Sequence, residues 1–328
     1  MTRPPRIGFL THVVSAGDPK RTIDEHIRIC VEAERMGYDS MWVAQHHFGA
    51  ENGVVASPFV FLAALAARTE RIRLGTAVVT LALEDPIRAA EDAALVDLIS
   101  GGRLEVGLGS GAHPPSFTAM SRDFRHRSAS GEVNAGALVS ALCGDPMPGG
   151  SVLTPRSASL TQRIWRATSS RKGAVAAARA GHGVLLARSA PLDPRRVGEV
   201  QRPIAEKYLA ATRSAGHVPR VGVTRTIVPA TDAAVLAGLA RDVREWSRDE
   251  QLPEPLARLD DAAVLNRHGV LTGELHRIAE CLAADAAVRL ATELIVQFQP
   301  GRPTYRDTLA ALETLIDLRS CPLRSQPQ

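Results

Sequence analysis

Asp39-Ser40-Met41-Trp42-Val43-Ala44-Gln45-His46-His47-Phe48 is the stretch that decides how the rest of the sequence is interpreted. Its first half has the apolar composition of a strand packed on both faces. Its second half places two imidazoles and a carboxamide at the end of that strand, which is where α/β enzymes carry functional side chains. The alternative is that the histidines belong to a loop and face water, and these ten residues alone leave both interpretations open.

Length and composition restrict the class of protein. The chain has 328 residues and a formal net charge of +4. This length fits a single (β/α)₈ barrel of roughly 250 residues with insertions, so we expect one domain over residues 1–328. Scattered arginines and few aromatic residues argue against nucleic-acid binding. No apolar run approaches the ~20 residues of a membrane span, and no signal peptide precedes the first strand, so we expect a cytoplasmic protein that does not bind membranes.

Strand-like and helix-like segments alternate along the chain. Thr22–Glu25 has the pattern of a capping box, Gly37 is a typical helix stop, and Ser57-Pro58 and Asp85-Pro86 are typical helix starts. Loops are expected near 112–130 and 266–273. The predicted strands cover about residues 6–10, the stretch quoted above, 72–79, 104–108, 164–168, 183–187, 220–228 and 293–298.

These eight predicted strands, each followed by a helix, indicate a parallel sheet covered by helices. Eight is the number of strands that closes a TIM barrel. The alternative, an open doubly wound sheet, would need a Gly-rich turn after the first strand, and the sequence has none there. We therefore predict an α/β protein with the (β/α)₈ fold.

Polar residues gather at the predicted strand ends, which converge on one mouth in a barrel. Their convergence favours a functional role for His46 or His47. A metal site is disfavoured because successive strand residues point to opposite faces, so His46 and His47 do not easily share one ion. The polar strand ends are Thr11 with His12, Gln45 to His47, Thr80, Gly109 to Gly111, Thr168 to Ser170, and Arg188 with Ser189.

Two of these strand ends have the composition of phosphate-binding loops. Gly109-Ser110-Gly111 would let the backbone approach an anion closely, and Thr168-Ser169-Ser170 would place hydroxyl groups at a helix N-terminus. Ordinary turn and cap chemistry explains either loop alone. Together, on adjacent strands, they favour a phosphorylated cofactor. Arg127 could supply charge to that phosphate, or it could simply be a solvated arginine.

Several ordered motifs resemble those of the bacterial luciferase-like flavin monooxygenases. Trp42–Phe48 resembles the family's W-x-x-E/Q-H-H-F stretch, and Leu74–Ala77 followed by Asp85–Arg88 resembles its third strand and helix. Asp97-Leu98-Ile99-Ser100-Gly101-Gly102-Arg103, continued to Gly111, resembles its D-x-x-S-x-G-R-x-x-x-G-x-G segment. The resemblance covers about residues 6–111, returns at the fifth and sixth strands, and is weak between 230 and 290.

The resemblance implies a barrel that binds FMN at its mouth and oxidises a small organic substrate with molecular oxygen. Reduced flavin would come from a separate reductase, and the protein would be a homodimer. His46 matches the family's active-site histidine, with a role in acid–base assistance. Ala77 falls where the family contacts the flavin ring, often through a non-proline cis peptide. Ser110, Ser169 and Ser170 fall near the phosphate, and His12, Gln45 and His47 are candidates for substrate binding.

The sequence also departs from luciferase at three positions. Gln45 stands where luciferase has glutamate, Gly109 where it has a reactive cysteine, and Ser110 where it has a phosphate-binding arginine. Light emission is therefore not implied, and weaker FMN binding or another flavin stays open. Since the family also includes F420-dependent oxidoreductases, three hypotheses remain: an FMN-dependent monooxygenase, an F420-dependent hydride-transfer enzyme, and a non-catalytic flavin-binding barrel.

Overall fold

The computed structural model describes residues 4–14, 17–49, 53–186, 194–247 and 256–323. The predicted strand-end residues Arg188 and Ser189 lie outside these ranges. No helix within the described ranges combines the length and the apolar character needed to cross a membrane.

Parallel strands form a closed barrel, which confirms the predicted (β/α)₈ fold. The barrel order is β1-β2-β3-β4-β5-β6-β7-β9, and β9 pairs with β1 to close the ring. The strands of the described chain are β1 (Arg6–Thr11), β2 (Ser40–Val43), β3 (Arg73–Thr80), β4 (Leu104–Gly109), β5 (Ile164–Thr168), β6 (Gly183–Leu186), β7 (Val221–Val228), β8 (Val270–Thr272) and β9 (Glu293–Gln297).

The strand β8 corrects the prediction of a loop at 266–273. Its three residues pair in parallel with the C-terminal end of β7, where Thr226 lies opposite Val270. Three residues are too few to show a strand periodicity, so only the pairing with β7 defines this strand.

Helices surround the barrel. The α-helices of the described chain are α1 (Pro19–Met36), α2 (Pro58–Ala66), α3 (Pro86–Ile99), α4 (Pro114–Ala119), α5 (Arg127–Cys143), α6 (Arg171–Arg179), α7 (Pro194–Ser214), α8 (Ala233–Trp246), α9 (Asp261–Arg267), α10 (Leu275–Ala284) and α11 (Tyr305–Leu315). Short 3-10 helices cover Phe124–His126, Ala158–Arg163, Leu256–Arg258, Val288–Leu290 and Ile316–Ser320.

The predicted helix starts are correct at prolines and wrong at the capping box. Asp85 caps α3 by accepting hydrogen bonds from the backbone N–H groups of Ile87 and Arg88, both at 2.9 Å. The helix α1 begins earlier than predicted, because Asp18 caps it and accepts from the Lys20 N–H at 3.0 Å. Thr22 lies inside that helix, where its hydroxyl donates to the Asp18 carbonyl.

The predicted loop at 112–130 also contains helix. Proline at 114 begins the short helix α4, and α5 starts at Arg127 rather than near Gly131. The predicted stop at Gly37 is confirmed, because this residue ends α1 with a φ of 96°, in the left-handed region that glycine enters freely.

Two tryptophans fill the middle of the barrel. The rings of Trp42 and Trp165 meet edge to face, with centroids 5.6 Å apart, and Leu10, Leu185 and Ile295 pack around them. These large side chains close the barrel interior below its C-terminal end.

Ion pairs occupy the N-terminal end of the barrel. Glu105 and Glu293 are buried, and Arg73 pairs with both carboxylates. The indole N–H groups of Trp42 and Trp165 donate to Glu293 and Glu105, respectively. Because ion-paired side chains fill this end, the C-terminal end is where a ligand can enter.

Candidate active site

A cavity of about 510 Å³ lies at the C-terminal end of the barrel. Strand ends and the loop after β4 contribute its walls, and none of the lining residues in the described chain is charged. Its apolar wall includes Leu10, Ala77, Val78, Phe117 and Leu185. Its polar wall comprises His12, Gln45, His46, His47, Thr80, His113, Ser116, Thr224, Gln297 and Gln299.

His46 and His12 are in direct contact at this cavity. The Nε2 atom of His46 lies 3.0 Å from Nδ1 of His12, and Nε2 of His12 lies 3.4 Å from Oε1 of Gln297. The backbone N–H of His46 donates to the carbonyl of Val55, which fixes the chain beyond β2. The structure therefore brings the predicted catalytic histidine and His12 together.

The protonation of His46 is set by its surroundings. Burial, together with the neighbouring His113 and His47, lowers the pKa of His46 from 6.5 to about 4. Removing an imidazolium from water costs more than removing a neutral imidazole, which is why burial acts in this direction. His46 is therefore a neutral imidazole at neutral pH, able to accept a proton.

His47 and His113 line the same cavity and are linked by Ser116. The Ser116 hydroxyl donates to the backbone carbonyl of His47 at 3.0 Å and lies 2.8 Å from Nδ1 of His113. Burial lowers the pKa of His47, against the attraction of Glu84. Among the residues that the structure describes, the buried Nε2 atom of His47 has no hydrogen-bond partner, which is an uncommon state for a buried polar atom.

Gln45 lines the cavity, but its amide is engaged within the protein. Its nitrogen donates to the Ala56 carbonyl at 2.9 Å and to Glu84, and its oxygen accepts from the Thr80 N–H at 2.7 Å. The side chain therefore ties the end of β2 to β3 and to the segment before α2. These contacts favour a structural role over the predicted contact with substrate.

The Ala77–Val78 peptide bond is a non-proline cis bond, as expected from the resemblance, and both residues line the cavity. The pairing of β3 with β4 shifts register between Thr76 and Val79. A Cβ atom at Gly109 would lie 2.5 Å from Cγ2 of Val78. A cysteine at position 109, as in luciferase, would therefore collide with this segment.

The predicted phosphate residues flank the cavity rather than line it. Gly111 and Ala167 form part of its wall, next to Ser110 and Thr168. Ser170 caps α6 by accepting from the Gly173 N–H at 3.0 Å. Ser169 and Ser170 are exposed and follow the lining residue Ala167 at the N-terminus of α6, a position where backbone N–H groups and hydroxyl groups can bind an anion.

Arg127 does not lie at this cavity. Its guanidinium group stacks 4.0 Å above the Phe124 ring and donates to the Phe124 carbonyl at 3.1 Å. It lines a separate depression between α5 and the loop after β3. The predicted cluster of Arg127 with the phosphate residues is therefore not formed.

Sequence reasoning missed Gln297, His113 and Ser116. Gln297 is the last residue of β9, so the same rule that selected the other strand ends could have found it. His113 and Ser116 lie in the stretch interpreted as a loop, where no periodicity marked them. Within the described residues, no group of three His, Cys, Asp or Glu side chains is arranged to hold a metal ion.

Fold and cavity together define a (β/α)₈ barrel with an active site of the kind found at the C-terminal ends of barrel strands. The model of the luciferase-like monooxygenase family matches residues 6–288. Because this match covers most of the chain, the protein belongs to that family.

The chain is also similar to individual proteins. The oxygenase component of flavin-dependent trigonelline monooxygenase from Acinetobacter baylyi is 36% identical over 119 residues, which cover 35% of this chain and 32% of that protein. The chain spans about a third of the length of the curated relatives it matches.

Two solved structures share the fold. The oxygenating constituent of 3,6-diketocamphane monooxygenase from Pseudomonas putida, in complex with FMN, has a TM-score of 0.74 at 18% identity and covers 99% of this chain and 100% of its own. An F420-dependent secondary alcohol dehydrogenase with an F420–acetone adduct has a TM-score of 0.72 at 14% identity, covering 96% and 99%. The same fold therefore occurs in one protein that binds FMN and in another that depends on F420.

Proposed function

We propose that the protein is the oxygenase component of an FMN-dependent monooxygenase that acts on a small organic molecule. The observation that carries this proposal is that His46 and the cis Ala77–Val78 segment face one cavity at the C-terminal end of the barrel. Membership of the luciferase-like monooxygenase family supports the same reaction class.

The residues around the cavity fit a flavin. Ala77 and Val78 offer an apolar surface for a flat ring, and the N-terminus of α6 with Ser169 and Ser170 offers donors for a phosphate. Gly109 ends β4 and Ser110 follows it, and β4 lies between β3, which carries Ala77 and Val78, and β5, which precedes Ser169 and Ser170. Arg127 is excluded from this set because its side chain is bound to Phe124.

Reduced FMN, when bound, supplies the two electrons with which one oxygen atom of O₂ enters the substrate and the other leaves as water. The role of the chain is to bind the reactants, exclude water and move protons. His46, neutral and largely buried, would accept a proton from the substrate or return one to the departing oxygen. Leu10, Phe117 and Leu185 would keep the reacting centre dry.

The proposal includes two partners. A separate reductase would deliver reduced FMN, as the name of the trigonelline relative as an oxygenase component suggests. A second copy of the chain would complete a homodimer.

The test begins with the cofactor. Purified protein should quench FMN fluorescence in a saturable way and should bind F420 more weakly. In a reductase-coupled assay with ¹⁸O₂ and a panel of small organic compounds, a product should carry one labelled oxygen atom. Tight binding of F420 in place of FMN, or a product without the label, would overturn the proposal.

The test continues with His46. The His46→Ala variant should bind FMN but lose at least about a hundredfold in kcat, the lower limit expected for a general acid–base group. The matched control is His276→Ala, because His276 is an exposed histidine in α10 that does not line the cavity. Full turnover in His46→Ala would show that His46 is not catalytic.

A further inference from the structure

We infer that Gln297 is a positioning residue that acts through His12 and fixes the tautomer of His46, so that Nε2 carries the proton and Nδ1 is the basic atom. The catalytic use of that basic atom depends on the proposed function, whereas the tautomer itself does not. Gln297, His12 and His46 all line the cavity, and they belong to three different strand ends.

The orientation of the Gln297 amide is set by groups behind it. Its nitrogen lies 3.2 Å from the backbone carbonyl oxygen of Gln299 and 3.0 Å from the Thr226 hydroxyl. A carbonyl oxygen can only accept, so the amide nitrogen has to face it. The Thr226 hydroxyl donates to the same carbonyl at 2.9 Å and therefore accepts from Gln297. The amide oxygen of Gln297 is left facing His12.

That oxygen selects one tautomer of His12. It lies 3.4 Å from Nε2 of His12, beyond the roughly 2.7–3.2 Å of a typical N–H···O hydrogen bond. With the proton on Nε2, the contact is attractive. With the proton on Nδ1, two lone pairs would face each other in a part-buried place, which is unfavourable. A neutral His12 therefore carries its proton on Nε2 and presents Nδ1 as an acceptor.

His46 must then be the donor in the contact between the two imidazoles. Its Nε2 atom lies 3.0 Å from Nδ1 of His12, so the proton belongs on Nε2 of His46. Burial and the neighbouring imidazoles of His47 and His113 keep His46 neutral, as its low pKa indicates. A neutral imidazole with a proton on Nε2 has its lone pair on Nδ1.

The consequence for the site is a base of fixed identity. A free imidazole in water exchanges between tautomers, so either nitrogen could meet the substrate. Here the contacts from Gln297 through His12 fix one tautomer of His46 before any ligand binds. The second hydrogen-bond partner of a functional histidine generally acts in this way. The cost of losing Gln297 should therefore appear in kcat rather than in KM.

Long-range ¹H–¹⁵N correlation spectra of histidine-labelled protein report the tautomer directly. In the wild type at pH 7, we expect His46 and His12 each to show a protonated Nε2 and an unprotonated Nδ1. The variants His46→Ala and His12→Asn each lack one histidine and so assign the signals of His46 and His12. A wild-type spectrum in which Nδ1 of His46 carries the proton would overturn the inference, whatever activity the protein has.

The Gln297→Met variant tests the cause. It keeps the length of the side chain but removes the oxygen that faces His12, so the signals of His12 and His46 should shift towards a mixture of tautomers. The fall in kcat should be roughly tenfold at unchanged KM, the factor that one hydrogen bond of ordinary strength controls. Gln162→Met, at an exposed glutamine, is the matched control and should change neither the spectra nor the kinetics.

The outcomes separate the two proposals. Unchanged tautomers in Gln297→Met would overturn the role of Gln297. If the variant does not fold, the wild-type spectrum still decides whether the inferred tautomer exists. If the wild-type spectrum shows the inferred tautomer but the ¹⁸O₂ assay gives no labelled product, this inference is supported and the proposed function is contradicted.

Discussion

At the scale of single residues, His46 is distinguished by what surrounds it rather than by its place in a motif. It is largely buried, it contacts the imidazole of His12, and two further histidines stand on the same wall. Burial and the neighbouring His113 and His47 make a positive charge on His46 less favourable. A histidine held neutral in this way can serve as a base at a pH where an ordinary histidine is partly protonated.

The acid limb of the activity profile should therefore lie near pH 4. The burial of His46 lowers its pKa from 6.5 to about 4, so the neutral form is lost only as the pH falls through that value. The measurement is kcat/KM against pH for the wild type, with the reductase held in excess. His46→Ala supplies the control, because its residual activity should lack this limb. A limb near pH 6.5 that disappears in His46→Ala would contradict the pKa argument.

At the scale of elements, the D-x-x-S-x-G-R motif proves to hold the fold together rather than to bind a ligand. Arg103 donates to the backbone carbonyls of Ala66, Thr69 and Ile72 and so fastens the end of α2 to the start of β4. Asp97, in α3, accepts from Arg163 and from the Ser157 hydroxyl in the segment before β5. The motif therefore holds β4 and β5 in the positions from which their loops reach the cavity.

Replacing Asp97 by alanine should cost about 3–5 kcal/mol of unfolding free energy, because it leaves Arg163 as an unpaired, mostly buried charge. Urea denaturation followed by circular dichroism measures this loss. The matched control is Asp92→Ala on the same helix, since Asp92 pairs with Arg88 at the surface and should contribute less than about 1 kcal/mol. Equal losses in the two variants would show that Asp97 is not a structural anchor.

Local signals made most elements predictable. Proline after serine or aspartate marks the starts of α2 and α3, and Gly37 marks the end of α1. The errors fall where the signal is short or indirect. The strand β8 has only three residues. The helix α1 is capped by Asp18, whereas the sequence offered a stronger capping-box pattern four residues later.

At the scale of the whole molecule, the site depends on barrel closure, which no local pattern describes. Gln297 and His12 are separated by 285 positions along the chain, and they meet because β9 pairs with β1. The sequence could name His12 and His46 as polar strand ends. It could not say that they are hydrogen-bonded to each other, or that Gln45 is engaged elsewhere, because these facts depend on side-chain directions across neighbouring strands.

The outer surface of the molecule carries an apolar face on α3. Leu95, Leu98 and Ile99 are 50%, 51% and 48% exposed, and their spacing places them on one side of the helix. Val60, on the adjacent helix α2, is 71% exposed. Groups of exposed apolar side chains commonly mark an interaction surface. We assign this face to the proposed homodimer, because a twofold contact buries the same patch on both copies.

Charge placed on this face should separate the copies. In Leu98→Arg, dimerisation would bring two arginines into an apolar contact, so the variant should elute as a monomer in size-exclusion chromatography with light scattering. The proposed homodimer predicts that the wild type elutes as a dimer. Val218→Arg provides the comparison, since Val218 is 80% exposed and lies outside α2 and α3. A Leu98→Arg variant that stays dimeric would show that the dimer contact lies elsewhere. A monomeric wild type would contradict the proposed homodimer. Because the face lies on the outer helices and the cavity lies at the strand ends, the monomeric variant should still bind FMN.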